Sequence, residues 1–266
     1  MKPAPVVGVF DSGVGGLSVL RALRLALPGA RFVYLADEAM APYGERDPEA
    51  LRQRIAALVE ALQRHQPLDA LVMACNTATA VAIDGLRETH PALPFVGIEP
   101  ALRPALRASA SGQVGVVATR ATLDSPRYAR LRAACLAEAA PSSRVVEQAC
   151  DGLAEAIENG DQARVAALCA HHLEHLRQSA PALDVLVLGC THYPWAAEHW
   201  RAPGLALIDP ADAVARRTQA LLPGTVTDGA GAVQLLSTGR GRRLAEATRR
   251  WLGLDLPAAT LPGATR

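Results

Sequence analysis

Lysine is almost absent from this 266-residue chain, because 26 of its 27 basic residues are arginine and Lys2 is the only lysine. A pyridoxal-phosphate enzyme needs a buried lysine for its Schiff base. A P-loop nucleotidase needs the lysine of its phosphate-binding loop. Lys2 lies at the start of the chain, where we expect a frayed end rather than a site. The sequence therefore excludes both enzyme classes.

Long apolar runs are also missing, although half of the residues are hydrophobic and can supply a core. No run approaches the roughly 20 residues that span a membrane, and residues 1–5 lack the apolar stretch of a signal peptide. The net charge of +1 gives no field that attracts nucleic acid or an acidic membrane. We expect a soluble cytoplasmic protein with a small-molecule partner, and neither nucleic acid nor membrane.

The cysteines lack the spacing of a disulfide framework or a zinc knuckle, because five of them occur without any CxxC. They are therefore expected to be thiols, each either core filler or reactive. Cys135, Cys150 and Cys169 lie in or beside helical patterns, and buried cysteine is common in cores. We interpret these three as core residues.

Cys75 and Cys190 are different. Each ends an apolar run, 71–74 in one case and 186–189 in the other, and each precedes small polar residues suited to a helix start. The helix dipole and the unpaired N–H groups at such a start stabilise a thiolate. The same arrangement occurs twice, 115 residues apart. This duplication predicts two thiols that face one site from two sides.

Apolar runs alternate with amphipathic helical patterns along the chain, which predicts an α/β fold with mainly parallel sheets. The pattern restarts near residue 100, where Val114-Gly115 echoes Val7-Gly8. We predict two pseudo-symmetric, doubly wound domains with the active site in the cleft between them. Residues 1–98 with 208–266 would form the discontinuous N-terminal domain, and residues 99–207 the second.

Ligands of such sheets gather beyond the carboxyl ends of the strands, where Asp11, Cys75, Thr119 and Cys190 are expected. The glycine-rich turn at 12–16 would expose N–H groups that bind an anion such as a carboxylate. The polar residues after each cysteine either cap a helix or hydrogen-bond a polar substrate. These residues are Asn76, Thr77 and Thr191.

Histidines offer two further candidates. His192 follows Cys190-Thr191 and is placed to assist that thiol. His171, His172 and His175 have a spacing that can hold a metal, but no third type of ligand accompanies them. We interpret the cluster as part of a surface helix and expect no metal site.

Four motifs together resemble glutamate racemase, a member of the cofactor-independent aspartate/glutamate racemase superfamily. They are Asp11–Gly16, Pro42–Gly44, Ala74–Thr79 and Gly189–Pro194. The resemblance runs from about residue 6 to 222. It implies an isomerase that inverts the α-carbon of glutamate without a cofactor and supplies D-glutamate for peptidoglycan synthesis, and hence for cell wall biogenesis and cell shape.

The resemblance also implies roles for residues. Cys190 acts on L-glutamate and Cys75 on D-glutamate, Asp11 assists Cys75, and His192 assists Cys190. A catalytic glutamate of the family corresponds to Glu158. The implied substrate-binding residues are Asp11, Ser12, Pro42, Tyr43, Gly44, Asn76, Thr77, Thr119, Thr191 and His192. Glu45-Arg46 departs from the Lys-Ser that often follows Tyr-Gly in the family.

Three other interpretations remain open from the sequence. These are a racemase of another acidic amino acid such as aspartate, a two-lobed protein that binds an amino acid without catalysing a reaction, and a redox protein with a Cys75–Cys190 disulfide. The sequence also leaves open a homodimer, because apolar helix faces serve cores and interfaces alike.

Overall fold

The computed structural model describes residues 4–222 and 231–263 and divides the chain into two compact units. The first unit comprises Met1–Ile98 and Ala211–Arg266, and the second comprises Glu99–Pro210. The predicted domain boundaries remain a prediction: residues 1–98 with 208–266 for one domain and residues 99–207 for the other.

The first unit is built around a six-stranded sheet in the order β10-β9-β2-β1-β3-β4. Its strands are β1 (Val6–Asp11), β2 (Arg31–Ala36), β3 (Ala70–Met73), β4 (Phe95–Gly97), β9 (Val233–Ser237) and β10 (Ala258–Thr260). Its helices are α1 (Leu17–Ala26), α2 (Pro48–His65), α3 (Asn76–Thr89), α10 (Ala211–Leu221) and α11 (Arg242–Leu252). A 3-10 turn covers Tyr43–Glu45.

The second unit contains a four-stranded sheet in the order β6-β5-β7-β8. Its strands are β5 (Gln113–Ala118), β6 (Arg144–Ala149), β7 (Val185–Leu188) and β8 (Ala206–Ile208). Its helices are α4 (Leu102–Ala108), α5 (Arg120–Leu123), α6 (Pro126–Glu138), α7 (Leu153–Asn159), α8 (Gln162–Ser179) and α9 (Ala197–Trp200), and a 3-10 turn at Tyr193–Ala196 precedes α9.

Every strand pairing in the two sheets is parallel. Strands buried on both faces are therefore continuous apolar runs, as Leu186–Leu188 shows. The order β2-β1-β3-β4 in the first unit corresponds to β6-β5-β7-β8 in the second. The predicted α/β class, with mainly parallel sheets in two similar sets, is confirmed.

Two glycines show how closely the units repeat one another. A Cβ on Gly8 would lie 2.7 Å from Leu71 and 2.8 Å from Leu68, and a Cβ on Gly115 would lie 3.0 Å from Leu186 and 3.1 Å from Leu183. Each leucine of the second pair lies 115 residues after its counterpart in the first. Glycine therefore leaves room for the ends of two leucine side chains at the same place in each unit.

Three short elements of the structure differ from the sequence patterns. Helix α4 and strand β10 were not predicted. The residues after Cys190 suit the start of a helix, but the chain there forms only the 3-10 turn and the four residues of α9. Asp161 is exposed and caps α8 by accepting the backbone N–H of Arg164 at 3.0 Å. Across residues 4–222 and 231–263, no helix is long and apolar enough to cross a membrane.

Candidate active site

The chemistry-bearing residues lie at the carboxyl ends of neighbouring strands in each unit. Strands β1 and β3 pair directly, so Asp11, the last residue of β1, and Cys75, just beyond β3, share one edge. In the second unit β5 and β7 pair in the same way. Thr119 and Cys190 therefore share the equivalent edge of their sheet.

Cys75 is itself the N-cap of α3. Its Sγ accepts the backbone N–H of Ala78 at 3.4 Å and lies 3.8 Å from Oγ of Ser12. Asn76 and Thr77, which sequence reasoning offered as caps, are the first residues inside the helix. A thiolate at this position receives the N–H and the positive end of the helix dipole. The buried sulfur, on a residue only 6% exposed, thus has a local source of stabilisation for its anionic form.

The glycine-rich turn binds an anion, but that anion is the side chain of Asp11. Oδ2 of Asp11 accepts the N–H of Gly16 at 2.8 Å and the N–H of Gly13 at 3.3 Å. The phenol of Tyr34 lies 3.3 Å from the same oxygen and donates to the carbonyl of Gly13 at 2.9 Å. These donors hold one oxygen of a carboxylate that has no exposure to solvent. We expected the N–H groups of the turn to bind substrate. The N–H groups of Gly13 and Gly16 donate to the carboxylate of Asp11 instead.

Gly16 is required by close packing rather than by its backbone conformation. Its φ is −61°, which any residue adopts. A Cβ at this position would lie 2.9 Å from the carbonyl oxygen of Ala74 and 2.9 Å from Cβ of Asp11. The glycine therefore lets the turn approach the residue that precedes Cys75.

Asn76 carries a polar group that the fold leaves unsatisfied. The residue is 5% exposed, and neither the oxygen nor the nitrogen of its amide has a hydrogen-bond partner among the residues that the structure describes. A buried amide without partners costs free energy, which a polar ligand would recover. Asn76 immediately follows Cys75, so such a ligand would lie beside the thiol.

The turn at Pro42–Gly44 is anchored through one side chain. Tyr43 is buried, and its phenol donates to Oδ2 of Asp37 at 2.7 Å, whereas Pro42 is exposed and Gly44 half-buried. Burial and the adjacent carboxylate of Asp37 raise the pKa of Tyr43 well above its ordinary value. The phenol therefore stays protonated and acts as a donor.

In the second unit, Cys190 is linked to a histidine and a carboxylate. Its Sγ lies 3.6 Å from Nδ1 of His192, and Nε2 of His192 lies 2.8 Å from Oε1 of Glu158. Burial alone would lower the pKa of His192, but the hydrogen bonds to Cys190 and Glu158 outweigh it and raise that pKa well above its ordinary value. The imidazole thus has one nitrogen at the sulfur of Cys190 and the other at the carboxylate of Glu158.

The remaining predicted site residues lie close to these groups in sequence. Thr191, which lies between Cys190 and His192 in the sequence, is buried. Thr119 is half-buried at the N-cap position of α5, and its hydroxyl shares a 2.9 Å hydrogen bond with the hydroxyl of Thr122. In the first unit Ser12 contacts Cys75. In the second unit His192 contacts both Cys190 and Glu158.

The other three cysteines are buried thiols in the second unit, in keeping with a core role. Burial raises the pKa of Cys169 to about 12, and it also raises the pKa values of Cys150 and Cys135. These thiols stay neutral at ordinary pH and are poor nucleophiles.

The histidine cluster on α8 is not simply a surface feature. His171 and His175 are exposed, but His172 is buried and neither of its ring nitrogens has a hydrogen-bond partner in the described part of the chain. Burial lowers the pKa of His172, and the neighbouring His171 lowers it further. In the same described residues, no group of three or more His, Cys, Asp or Glu side chains is arranged to hold a metal ion.

Sequence reasoning missed two side chains that organise the first unit, Tyr34 and Asp37. Tyr34 lies inside β2 and contacts Asp11, whereas Asp37 directly follows β2 and contacts Tyr43. Asp37 had the signal that singled out Asp11, an acidic residue at the carboxyl end of a strand. Tyr34 had no such signal in the sequence, because its contact with Asp11 depends on the pairing of β1 with β2.

Known proteins resemble this chain in sequence and in fold. Residues 15–218 match the Asp/Glu/Hydantoin racemase family. A glutamate racemase from Ectopseudomonas mendocina (strain ymp) is 46% identical over 259 residues, which cover 94% of this chain and 90% of that protein. The chain belongs to the glutamate racemase family.

Solved glutamate racemases also share the fold over the whole chain. Isoform RacE1 from Bacillus anthracis superposes with a TM-score of 0.86 at 30% identity, covering all of both chains. The Escherichia coli glutamate racemase, solved in complex with L-glutamate and the activator UDP-MurNAc-ala, gives a TM-score of 0.81 at 33% identity and covers 97% of this chain and 98% of that one. The family resemblance predicted from four motifs is therefore confirmed.

Proposed function

We propose that this chain interconverts L- and D-glutamate by proton transfer between two thiols, without a cofactor. The observation that carries the proposal is the duplication of the thiol. Cys75 and Cys190 stand beyond the equivalent strands β3 and β7, and each has its own polar surroundings. The glutamate racemases that the chain resembles support glutamate as the substrate.

The proposed reaction balances with one proton on each side. The thiolate of Cys190 removes the α-proton of L-glutamate and becomes a thiol. The thiol of Cys75 then gives its proton to the opposite face of the α-carbon and becomes a thiolate. D-glutamate leaves, and the reverse direction uses the same groups in exchanged roles.

The surroundings of each thiol support these roles by different means. Cys75 receives the N–H of Ala78 at the start of α3, which stabilises its anion. Cys190 has the imidazole of His192, held by Glu158. Asp11 lies at the strand end next to Cys75 and is proposed to assist it. General acid–base assistance of this kind contributes typically about 10²- to 10⁴-fold to a rate.

The carbanion-like state is the difficult part, because an α-proton of an amino acid is a very weak acid. Hydrogen-bond donors that are already in place and shielded from water best stabilise the negative charge that develops in this state. The unsatisfied amide of Asn76 supports a role in holding the substrate. We propose the same for Ser12, Thr77, Thr119 and Thr191, and for the turn of Pro42, Tyr43 and Gly44.

The product suggests the cellular role. We propose that the D-glutamate supplies peptidoglycan synthesis, as expected for this family. A cytoplasmic location, expected from the sequence, belongs to the same proposal. Glutamate is the only partner that the proposal requires.

The decisive experiment uses purified protein, L-glutamate and D₂O without an added cofactor. We expect the optical activity to decay to zero while deuterium enters the α-position of the D-product. Failure to racemise glutamate under reducing conditions, with glutamate still bound, would favour the amino-acid-binding protein. Failure both to racemise and to bind glutamate, with turnover of aspartate instead, would favour the aspartate enzyme.

A further inference from the structure

Asp37 is a buried carboxylate that accepts hydrogen bonds from three side chains. The residue directly follows β2 and has no exposure to solvent. Its oxygens accept the phenol of Tyr43 at 2.7 Å, Nε of Arg54 at 3.1 Å, Nη2 of Arg54 at 2.8 Å and the hydroxyl of Thr238 at 2.6 Å. These contacts bring together the turn at 42–44, helix α2 and the segment after β9.

The backbone of Asp37 is fixed as firmly as its side chain. Its N–H donates to the carbonyl of Asp11 at 3.0 Å, which extends the pairing of β1 with β2. Its carbonyl accepts the N–H groups of Met40 at 3.0 Å and Ala41 at 3.2 Å. Asp37 therefore sets both the start of the loop and, through Tyr43, the place where the loop returns to the core.

The repeat within the chain shows that the fold itself does not need a charge here. Cys150 occupies the equivalent position after β6, and its N–H donates to the carbonyl of Ala118 at 3.0 Å as that of Asp37 does to Asp11. Cys150 is a buried neutral thiol. Burying a carboxylate costs free energy that hydrogen bonds must offset. A charged residue on only one side of the repeat therefore points to a task specific to the first unit.

That task is carried out through Tyr43. The phenol points into the core, where the ring packs against Phe10 with 6.4 Å between ring centroids, and the residue is 1% exposed. The flanking Pro42 and Gly44 are more exposed, so the turn lies nearer the surface than the phenol of Tyr43. Holding the phenol therefore fixes where the backbone of this turn lies.

We propose that Asp37 is a positioning residue for substrate: it fixes the turn Pro42–Gly44 by accepting the phenol of Tyr43, with Arg54 holding the carboxylate. The inference rests on the proposed function, because it assigns the turn to glutamate binding. Arg54 binds both oxygens of Asp37 in a fork, which leaves the carboxylate a single orientation. Asp37 itself does not contact substrate.

Asp37→Asn and Tyr43→Phe test the proposal, alone and together. We expect each to raise the KM for L- and D-glutamate about 10-fold while kcat changes less than about 3-fold, because a group that only positions the bound substrate contributes equally to the ground state and the transition state. In the double variant the effect of Asp37→Asn on KM should vanish, since residues acting through one contact are not additive.

Tyr128→Phe is the matched control. Tyr128 is also buried, and its phenol donates to the carboxylate of Glu147 at 2.9 Å, with Arg132 paired to the same carboxylate at 2.8 Å. This variant loses an equivalent hydrogen bond outside the proposed site and should keep its KM. It also gives a test if Asp37→Asn does not fold, because Tyr43→Phe can then be compared with it directly.

The failures of the two proposals are distinguishable. A wild-type protein that does not racemise glutamate would overturn the proposed function, and this inference with it. A wild-type protein that racemises glutamate, with an unchanged KM in Tyr43→Phe or equal changes in Tyr43→Phe and Tyr128→Phe, would overturn the inference alone. Additive effects of Asp37→Asn and Tyr43→Phe would also overturn it, because Asp37 would then act by another route.

Discussion

Nε2 of His192 lies 2.8 Å from Oε1 of Glu158, and both side chains are more than nine-tenths buried. The other nitrogen of the imidazole faces Sγ of Cys190 at 3.6 Å. Because the carboxylate fixes one nitrogen, the ring can present only the other to the sulfur. The contacts place Glu158 and Cys190 on opposite nitrogens of His192, so we propose that Glu158 acts on the thiol through the protonation of His192.

Glu158→Gln tests this link. Removing the carboxylate should lower the pKa of His192, so that the imidazole loses its proton at a lower pH and the alkaline limb of the kcat/KM profile moves down in pH. We expect kcat to fall about 10²-fold, the lower end of what general acid–base catalysis contributes. The measurement is the pH–rate profile in each direction.

Glu155→Gln is the control for that variant, because Glu155 lies on the same helix α7 but is exposed and pairs with Arg164 at 3.5 Å. Its profile should match that of the wild type. An unshifted alkaline limb in Glu158→Gln, with the fold intact, would show that the carboxylate does not act through His192.

Single-thiol variants should separate exchange from inversion. In D₂O, Cys75→Ala should still exchange the α-proton of L-glutamate through Cys190, yet form no D-glutamate. Cys190→Ala should show the converse, with exchange restricted to D-glutamate. The reason is that each remaining thiol can remove a proton from one face and return deuterium only to that face. NMR of the α-position with chiral analysis measures both quantities.

Cys169→Ala controls for the loss of a buried thiol, since Cys169 has no exposure and lies in α8. It should racemise both enantiomers at rates near those of the wild type. Residual racemisation in Cys75→Ala would argue that a group other than this thiol protonates the second face.

Gly16→Ala should destabilise the protein, because its Cβ would lie 2.9 Å from the carbonyl oxygen of Ala74. Overpacking of this kind costs about 1–3 kcal/mol. Gly85→Ala is the contrasting change: Gly85 lies in the exposed part of α3, with nothing within 4 Å of the added Cβ. It should raise the free energy of unfolding by about 0.5–1 kcal/mol. Urea unfolding measures both, and a neutral Gly16→Ala would contradict the close approach of the turn to Ala74.

The stability of the second unit should depend on pH through His172. Burial lowers the pKa of His172 in the folded protein, so at a pH below the unfolded value of about 6.5 the unfolded chain binds more protons. The free energy of unfolding therefore falls as the pH falls from neutrality, and His172→Leu should weaken that dependence. His171→Gln, at an exposed neighbouring position, should leave it nearly unchanged. Urea unfolding of the wild type and of both variants, at pH values above and below about 6.5, measures this dependence. The same pH dependence in His172→Leu as in the wild type would refute the prediction.

Sequence patterns were sufficient for the features that depend on local chemistry and on repetition. The alternation of strands and helices, the restart near residue 100 and the family resemblance in four motifs all depend on residue order along short stretches. Cys75 and Cys190 were found in the same way, because each ends an apolar strand and precedes a turn of small polar residues. Parallel pairing of neighbouring strands then brings such residues to one edge of a sheet.

Only the tertiary structure decided which polar groups satisfy one another. Oδ2 of Asp11 takes the amides of the glycine-rich turn, and Asp37 collects donors from Tyr43, Arg54 and Thr238, which is 201 residues away in sequence. No periodicity encodes such partners, because a buried donor pairs with whatever acceptor the packing of distant elements brings within about 3 Å. The sequence by itself determined the fold class and the family, whereas the hydrogen bonds that orient the site depend on packing between distant segments.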